Sequence, residues 1–211
     1  MIDFIYRLVY NRFMKNDNSR ETILNCALQL FSAKGYDAVS INDIVGMAGI
    51  TKPTLYYFFG NKEGLFRELL KSNYDMLNAS LLNNCHYEPH EEHYFEDVYP
   101  VLLKIVKAYF SFANRNSEFY LMSLALTFAP PTSDSAIMAE EYHKVQYMLI
   151  EKIFEEISAV HTNLHGKERI CSWRFLAMVN AQIGFWYRGY GQLSDADAES
   201  IVKLFMHGIF S

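Results

Sequence analysis

The chain has 211 residues, a net charge of −5, 51% hydrophobic residues and 16% aromatic residues. So much apolar material excludes a disordered chain, and the lack of any run of about 18 apolar residues excludes a membrane-spanning helix. Three widely separated cysteines, Cys26, Cys85 and Cys171, suit buried thiols in a reducing cytosol better than a disulfide framework or a zinc site; a cytoplasmic protein is expected.

Charge is unevenly spread. Residues 1–71 carry nine Lys/Arg against seven Asp/Glu, a balance of +2, whereas residues 72–211 carry ten against seventeen, a balance of −7. A mildly positive head on an acidic body suggests that only the head meets a polyanion.

In chain order, residues 1–13 (MIDFIYRLVYNRF) are apolar but interrupted by Asp3, Arg7 and Arg12, and they lack the small-residue cleavage site of a secretory signal. Met14-Lys15 is the more natural beginning, so 1–13 reads as an extension from a start assigned too far upstream. The alternatives are a helix that docks on the body, touches a membrane surface or extends a nucleic-acid contact. Ser19 is a candidate cap for a first helix with Ile23, Cys26, Ala27, Leu30 and Phe31 at helical spacing, and Lys34-Gly35 ends it. Ser40 opens a second helix, with Asp43 three residues on as a near capping box and Ile41, Ile44, Val45 and Ala48 inward. Gly49-Ile50 turns into Thr51, a good N-cap, and Pro53 falls in the first turn of a short third helix where its missing N–H costs little. Leu55 and Phe59 point inward, Gly60 stops the helix, and Asn61 caps a long fourth helix using Leu65, Phe66, Leu69 and Leu70.

Three short helices with two tight turns fit a helix-turn-helix unit, whose second helix enters the DNA major groove. Beyond residue 72 the periodicity stays helical, with helices near 72–84, 95–114, 117–128, 135–159, 168–190 and 196–210. The breaks fall at Glu88-Pro89, Asn114 to Asn116, Ala129-Pro130-Pro131, His165-Gly166 and Gly191-Gln192, with Ser194 as a cap. The expected fold is all-α. A helix-turn-helix DNA-binding domain over 14–65 is followed by a helical domain over 66–211.

The run RETILNCALQLFSAKGYDAVSINDIVGMAGITKPTLYYFFGNKEGL, from Arg20 to Leu65, closely resembles the DNA-binding head of TetR-type transcriptional regulators. The resemblance is carried by the LF…GY turn, the S-I-x-x-I helix start, the A-G-I-T turn and T-L-Y-Y-F-F-x-N-K-E-x-L. It covers about a fifth of the chain; the rest is similar to the family's helical body only in length and pattern. The resemblance implies a homodimer that binds a palindromic operator in double-stranded DNA, usually represses, and is released by a small molecule in the body. By position, Ser40 and Asn42 would meet the backbone or a base edge. Thr51 lies on the DNA side of the turn, and Lys52, Pro53, Thr54 and Tyr56 would face base edges. Tyr57 would meet phosphate or sugar, and Lys62 would bind phosphate at the N-terminus of the fourth helix. Their chemistry agrees: Lys52 and Thr54 can hydrogen-bond base edges, Pro53 and Tyr56 offer apolar contact to a thymine methyl, and Lys62 adds a cation beside helix N–H groups. Phe58 stands where the family often has Tyr or His and cannot donate to the DNA backbone.

In the helix near 168–190, Ala177, Ala181 and Gly184 share a face, and Ile201, Leu204, Phe205 and Gly208 form a stripe in the last helix. Small residues allow close helix approach, so these stripes are the candidate four-helix dimer interface; ordinary packing within one chain is the alternative. Tyr109, Phe112, Phe119, Tyr120, Met122, Tyr147, Trp173, Phe175 and Trp186, with Gln182 as a polar tip, are candidates for an apolar ligand pocket, or simply core. No cofactor is expected. His86, His90 and His93 would share a helix face near Glu91, Glu92 and Asp97, but Pro89 interrupts the helix and argues against a metal site; His161 and His165, flanking a loop, are weaker still. No phosphate loop, nucleophile motif or carboxylate pair points to an enzyme. The competing reading keeps the DNA-binding head but gives the body a structural or partner-recruiting role without an inducer.

Overall fold

The computed structural model describes residues 19–89 and 93–208. The extension 1–13 and His90 therefore lie outside the described residues. The chain divides between Ser72 and Asn73 into two compact units.

In the first unit, α1 covers residues 19–34. Ser19 is already helical and is not its cap. Gly35 ends the helix at a φ of +80°, with its N–H donating to the Phe31 carbonyl at 2.9 Å. Helix α2 is Ile41–Ala48 and α3 is Lys52–Phe59. Most of the expected inward residues form one core: Ile23, Ala27, Leu30, Phe31, Ile44, Leu55, Phe59, Leu65, Phe66, Leu69 and Leu70 are buried, whereas Cys26, Ile41, Val45 and Ala48 are half-buried. Each fully buried apolar side chain of this kind contributes about 1.5–3 kcal/mol. Phe31, Tyr36 and Phe66 cluster around it, with Phe31 edge-on to Phe66 at 5.2 Å and Tyr36 4.6 Å from Phe66.

Helix α4 runs unbroken over Lys62–Asn84, where the sequence reading had a separate helix from about 72. No Gly or Pro occurs between Leu65 and Asn84, so nothing terminates it.

The second unit continues with α5 (Tyr94–Arg115), α6 (Ser117–Thr127), α7 (Asp134–Val160), α8 (Glu168–Tyr187) and α9 (Asp195–His207). Pro100 sits inside α5 without breaking it. The Ala129-Pro130-Pro131 break is followed by Ser133, whose side chain caps α7. A single 3-10 turn, Thr162–Leu164, fills what was read as plain loop. Helix α8 stops earlier than 190, because Gly189 takes a φ of +78° and lets Tyr190 N–H reach the Phe185 carbonyl at 2.9 Å. Ser194 and Asp197 form a full capping box at α9. Helix α7 packs along α8, and α5 along α9. One buried polar cluster ties the unit together: the Asp97 carboxylate accepts from the Tyr87 hydroxyl at 2.7 Å and pairs with His161 Nε2 at 2.8 Å. Burial, together with the Asp97 hydrogen bond, pushes the Tyr87 phenol well above its ordinary range.

Candidate functional site

The turn from α2 to α3 is set by side-chain capping and one glycine. Ser40 Oγ accepts from the Asp43 N–H at 3.2 Å, and the Asp43 carboxylate accepts from the Ser40 N–H at 2.8 Å. These bonds to Ser40, side chain first, hold the Asp43 pKa below its usual value. Gly49 closes α2 in the left-handed region, at φ 65° and ψ 31°, a conformation costly for other residues. Thr51 has N-cap geometry but gives no side chain to the α3 backbone; its hydroxyl instead pairs with that of Thr54 at 2.9 Å. Pro53 lies within the first two positions of α3.

With Leu55 and Phe59 turned inward, α3 presents the other face to solvent. Lys52, Pro53, Tyr56 and Tyr57 are exposed, as are Ser40, Asn42 and Thr51 alongside them, and Thr54 is half-buried. Tyr57 is 76% exposed, so its ring is open to solvent. Phe58 is half-buried and meets the Tyr57 ring edge-on at 5.1 Å. It therefore props Tyr57 outward rather than projecting a polar group itself.

Asn61 caps α4, its Oδ1 accepting from the Gly64 N–H at 2.7 Å. Lys62 opens the helix with its ammonium 4.1 Å from the centre of the Tyr36 ring. Desolvation lowers its pKa, and Asp37 opposes that shift. Two features here went unread in the sequence. Tyr36 is the platform for Lys62, and Gly64 is a steric requirement: a Cβ there would lie 2.1 Å from the Phe59 carbonyl oxygen. A glycine in the first turn of a helix, where other residues form the helix more readily, was the available signal for the second.

The second unit holds a cavity of about 700 Å³ between α6, α7 and α8. Its walls are mostly carbon, from Leu124, Phe128, Tyr147, Trp173, Leu176, Ala177, Ala181, Gly184 and Phe185, with Thr127, Asn180 and Arg188 as polar members. A second space of about 40 Å³ shares Leu124, Thr127, Tyr147, Leu176 and Asn180 with it. Tyr74, Tyr109, Tyr120, Ser123, His143 and Gln146 also line that smaller space.

Of the sequence candidates, Tyr147 lines both spaces, Trp173 the larger, and Tyr109, Phe119 and Tyr120 the smaller. Phe112, Met122 and Phe175 are core residues. Gln182 donates to the Gln192 carbonyl at 2.9 Å. Trp186 meets Tyr187 edge-on, and like Gln182 it lines neither space. Tyr74, His143 and Asn180 were missed, since only the tertiary packing of α4, α7 and α8 gathers them.

On α8, Ala177 and Ala181 are exposed and Gly184 is half-buried, in line with exposed Ile170, Trp173 and Phe185. The α9 stripe divides. Ile201 is buried, and Phe205 packs 5.1 Å from Phe175 and 5.8 Å from Phe154, both within its own chain, while Leu204 and Gly208 are exposed. Residues 85–89 are not helical, so His86 does not share a helix face with His93. Among the described residues no group of three His, Cys, Asp or Glu side chains could hold a metal ion, and no helix is long and apolar enough to cross a membrane.

Comparison with known proteins bears on both units. Residues 23–69 match the family described as bacterial regulatory proteins, tetR family. The biofilm operon icaADBC HTH-type negative transcriptional regulator IcaR of Staphylococcus aureus is 28% identical over 105 residues, which is 47% of this chain and 56% of the relative. The chain thus spans little more than half the length of that relative. IcaR of Staphylococcus epidermidis is 25% identical over 169 residues, covering 80% of this chain and 82% of the relative. Among solved structures, a TetR-family transcriptional regulator from Bordetella parapertussis has a TM-score of 0.69 at 23% identity, covering 91% of this chain and 97% of its own. FadR from Bacillus subtilis, in complex with stearoyl-CoA, has a TM-score of 0.72 at 17% identity, covering 90% and 98%. The solved structures share the fold. The matched head and the IcaR relatives make this chain similar to the tetR family of bacterial regulatory proteins.

Proposed function

We propose that the chain is a cytoplasmic homodimeric repressor, released from a palindromic operator by a small apolar or aromatic ligand. Residues 14–65 serve as its DNA-binding domain and 66–211 as its ligand-binding and dimerisation domain. Lys52, Pro53, Thr54 and Tyr56 read base edges, with Ser40, Asn42 and Thr51 flanking them, and Tyr57 and Lys62 hold the phosphate backbone. The observation that carries this reading is the largely apolar cavity of about 700 Å³ walled by the exposed stripe of α8. Its volume falls in the range of small-molecule sites, about 300–1,000 Å³.

The same α8 residues, Ala177, Ala181 and Gly184, serve two ends in this reading. A second copy laid on that stripe would roof the cavity, so a ligand inside it acts directly on the dimer. To release DNA the ligand must favour the DNA-incompetent state by about 1–3 kcal/mol. The IcaR relatives are negative regulators, and the structurally similar FadR was solved with stearoyl-CoA, which supports repression and a largely apolar effector.

The test is fluorescence anisotropy on DNA from upstream of the chain's own and adjacent genes, at several salt concentrations, with and without a panel of apolar metabolites. Selective binding that a panel member abolishes is expected. No sequence-selective binding to any fragment refutes the operator reading, and selective binding that no compound relieves favours the partner-recruiting alternative.

A further inference from the structure

We propose that the inner end of the body cavity reads a hydroxyl group, so that the effector is an alcohol or phenol on an apolar body rather than a carboxylate. This rests on the ligand reading above and names the chemical class of that ligand.

The argument is an account of donors and acceptors in the smaller space. Most of its hydroxyls are already engaged: Tyr74 with Ser123 at 2.6 Å, Tyr109 donating to Gln146 at 2.8 Å, Tyr120 donating to Asn180 Oδ1 at 2.6 Å, and Thr127 donating to the Ser123 carbonyl at 3.1 Å, with Tyr147 as the exception. His143 differs. Its Nε2 is buried and has no hydrogen-bond partner, while the ring bonds to the backbone of Ser123. A ring N–H that donates to that carbonyl must be Nδ1–H. Desolvation lowers the His143 pKa, so the ring is neutral near pH 7 and Nε2 carries a lone pair.

A buried acceptor without a donor is costly, and its complement is an O–H or N–H. Asn180 lines both spaces; with its oxygen accepting from Tyr120, it has amide hydrogens to give. An acceptor and a donor that line the same small space match a hydroxyl, which does both. No Lys or Arg lines the smaller space, and Arg188 belongs to the larger one alone. A carboxylate at the inner end would therefore face a lone pair without a compensating cation. The larger space accepts the apolar body against Leu176, Trp173 and Phe185.

The experiment compares three probes by isothermal titration calorimetry on the full chain at pH 7.5: 4-hexylphenol, its methyl ether and 4-hexylbenzoate. The ether keeps the oxygen and removes the donor; the benzoate adds charge. The phenol is expected to bind roughly tenfold more tightly than either, the scale of one good hydrogen bond to a site left unpaired otherwise. His143→Phe is expected to bring the phenol down to the ether's affinity and leave the ether within about twofold. His143→Gln, which restores an acceptor, is expected to keep a preference for the phenol. Equal binding of phenol and ether by the wild type, as when a water retains Nε2, overturns the inference and leaves the ligand reading intact. Tightest binding of the benzoate also overturns it. Binding of none of the three removes the cavity as a ligand site and the inference with it. The wild-type comparison decides whether or not the variants fold.

Discussion

Replacing Gly64 by alanine tests whether α3 is held by close contact at the start of α4. Alanine is the better helix former by about 1 kcal/mol in a helix interior, so propensity alone predicts stabilisation. The geometry predicts the reverse. A Cβ at residue 64 would lie 2.1 Å from the Phe59 carbonyl oxygen and 3.3 Å from its carbon. That oxygen is backbone and cannot rotate away. Relief requires α4 to move against the end of α3, which strains the 2.7 Å bond from the Gly64 N–H to Asn61 Oδ1. Overpacking of this kind costs about 1–3 kcal/mol, and loss of a helix cap costs about 1 kcal/mol. After the propensity gain, a net destabilisation of about 2 kcal/mol remains.

The assay is native-state hydrogen exchange on peptides spanning residues 52–70, where about 2 kcal/mol appears as roughly 30-fold faster exchange. Gly46→Ala is the internal control. It sits within α2, has no atom within 4 Å of its would-be Cβ and no positive φ, so it is expected to slow exchange locally by a stabilisation of about 0.4–1 kcal/mol. If Gly64→Ala protects these peptides as Gly46→Ala protects α2, the steric argument is wrong.

Other substitutions test separate contacts. Lys62→Ala is expected to weaken operator binding similarly for all sequences and to flatten the log–log salt slope by about 0.9, whereas Lys52→Ala should cost about 1–3 kcal/mol on the operator and relax selectivity; anisotropy titrations at several salt concentrations separate the two. The folded-state pKa of His143 is lowered by burial, so the unfolded chain binds the extra proton first: stability is fully present above about pH 6.5, the unfolded value, and falls as pH drops through it. Denaturant midpoints between pH 7.5 and 5.5 should fall less for His143→Gln than for wild type. Burial raises the Cys85 thiol to about 11, so of the three cysteines it should react most slowly with a thiol reagent, with labelled peptides read by mass spectrometry. Gly184→Ala is expected to raise the stability of the isolated chain by about 0.4–1 kcal/mol while weakening either dimerisation or probe binding, as read by sedimentation and calorimetry; an unchanged dimer with unchanged binding would refute a role for that glycine.

Legibility in the sequence followed the range of the forces. Ser40 with Asp43, Gly49 before Thr51, and Asn61 before Gly64 are contacts within four residues, and all but the role of Gly64 could be read because caps and tight turns are local chemistry. The inward faces of the first three helices followed from period alone. In the body, the same periodicity marked helices but not neighbours. Tyr74, His143 and Asn180 are apolar-periodic, loop-distant and otherwise unremarkable residues. They meet only because α4, α7 and α8 pack together, and no spacing rule reports that. The aromatic composition drew attention to Tyr109, Tyr120 and Tyr147, which line the smaller space, and equally to Phe112 and Phe175, which do not. Composition cannot tell a wall from a filling.

The small residues of α8 sharpen what lies beyond one chain. Gly64 has its reason within the chain, in the Phe59 carbonyl. Gly184 has none: a Cβ there meets nothing within 4 Å, and its φ is not positive. A helix-interior glycine that saves no clash and adopts no special backbone still costs about 1 kcal/mol relative to alanine. Gly46 is alike in both respects, so the cost alone names no partner; what sets Gly184 apart is that it lines the large cavity with Ala177 and Ala181, leaving room for something that approaches α8 from outside. The two visitors proposed above, a ligand and a second copy, both need that room. A single stripe serving both would make ligand entry and dimer geometry compete for the same few ångströms of clearance, which is the physical content of a switch in this fold.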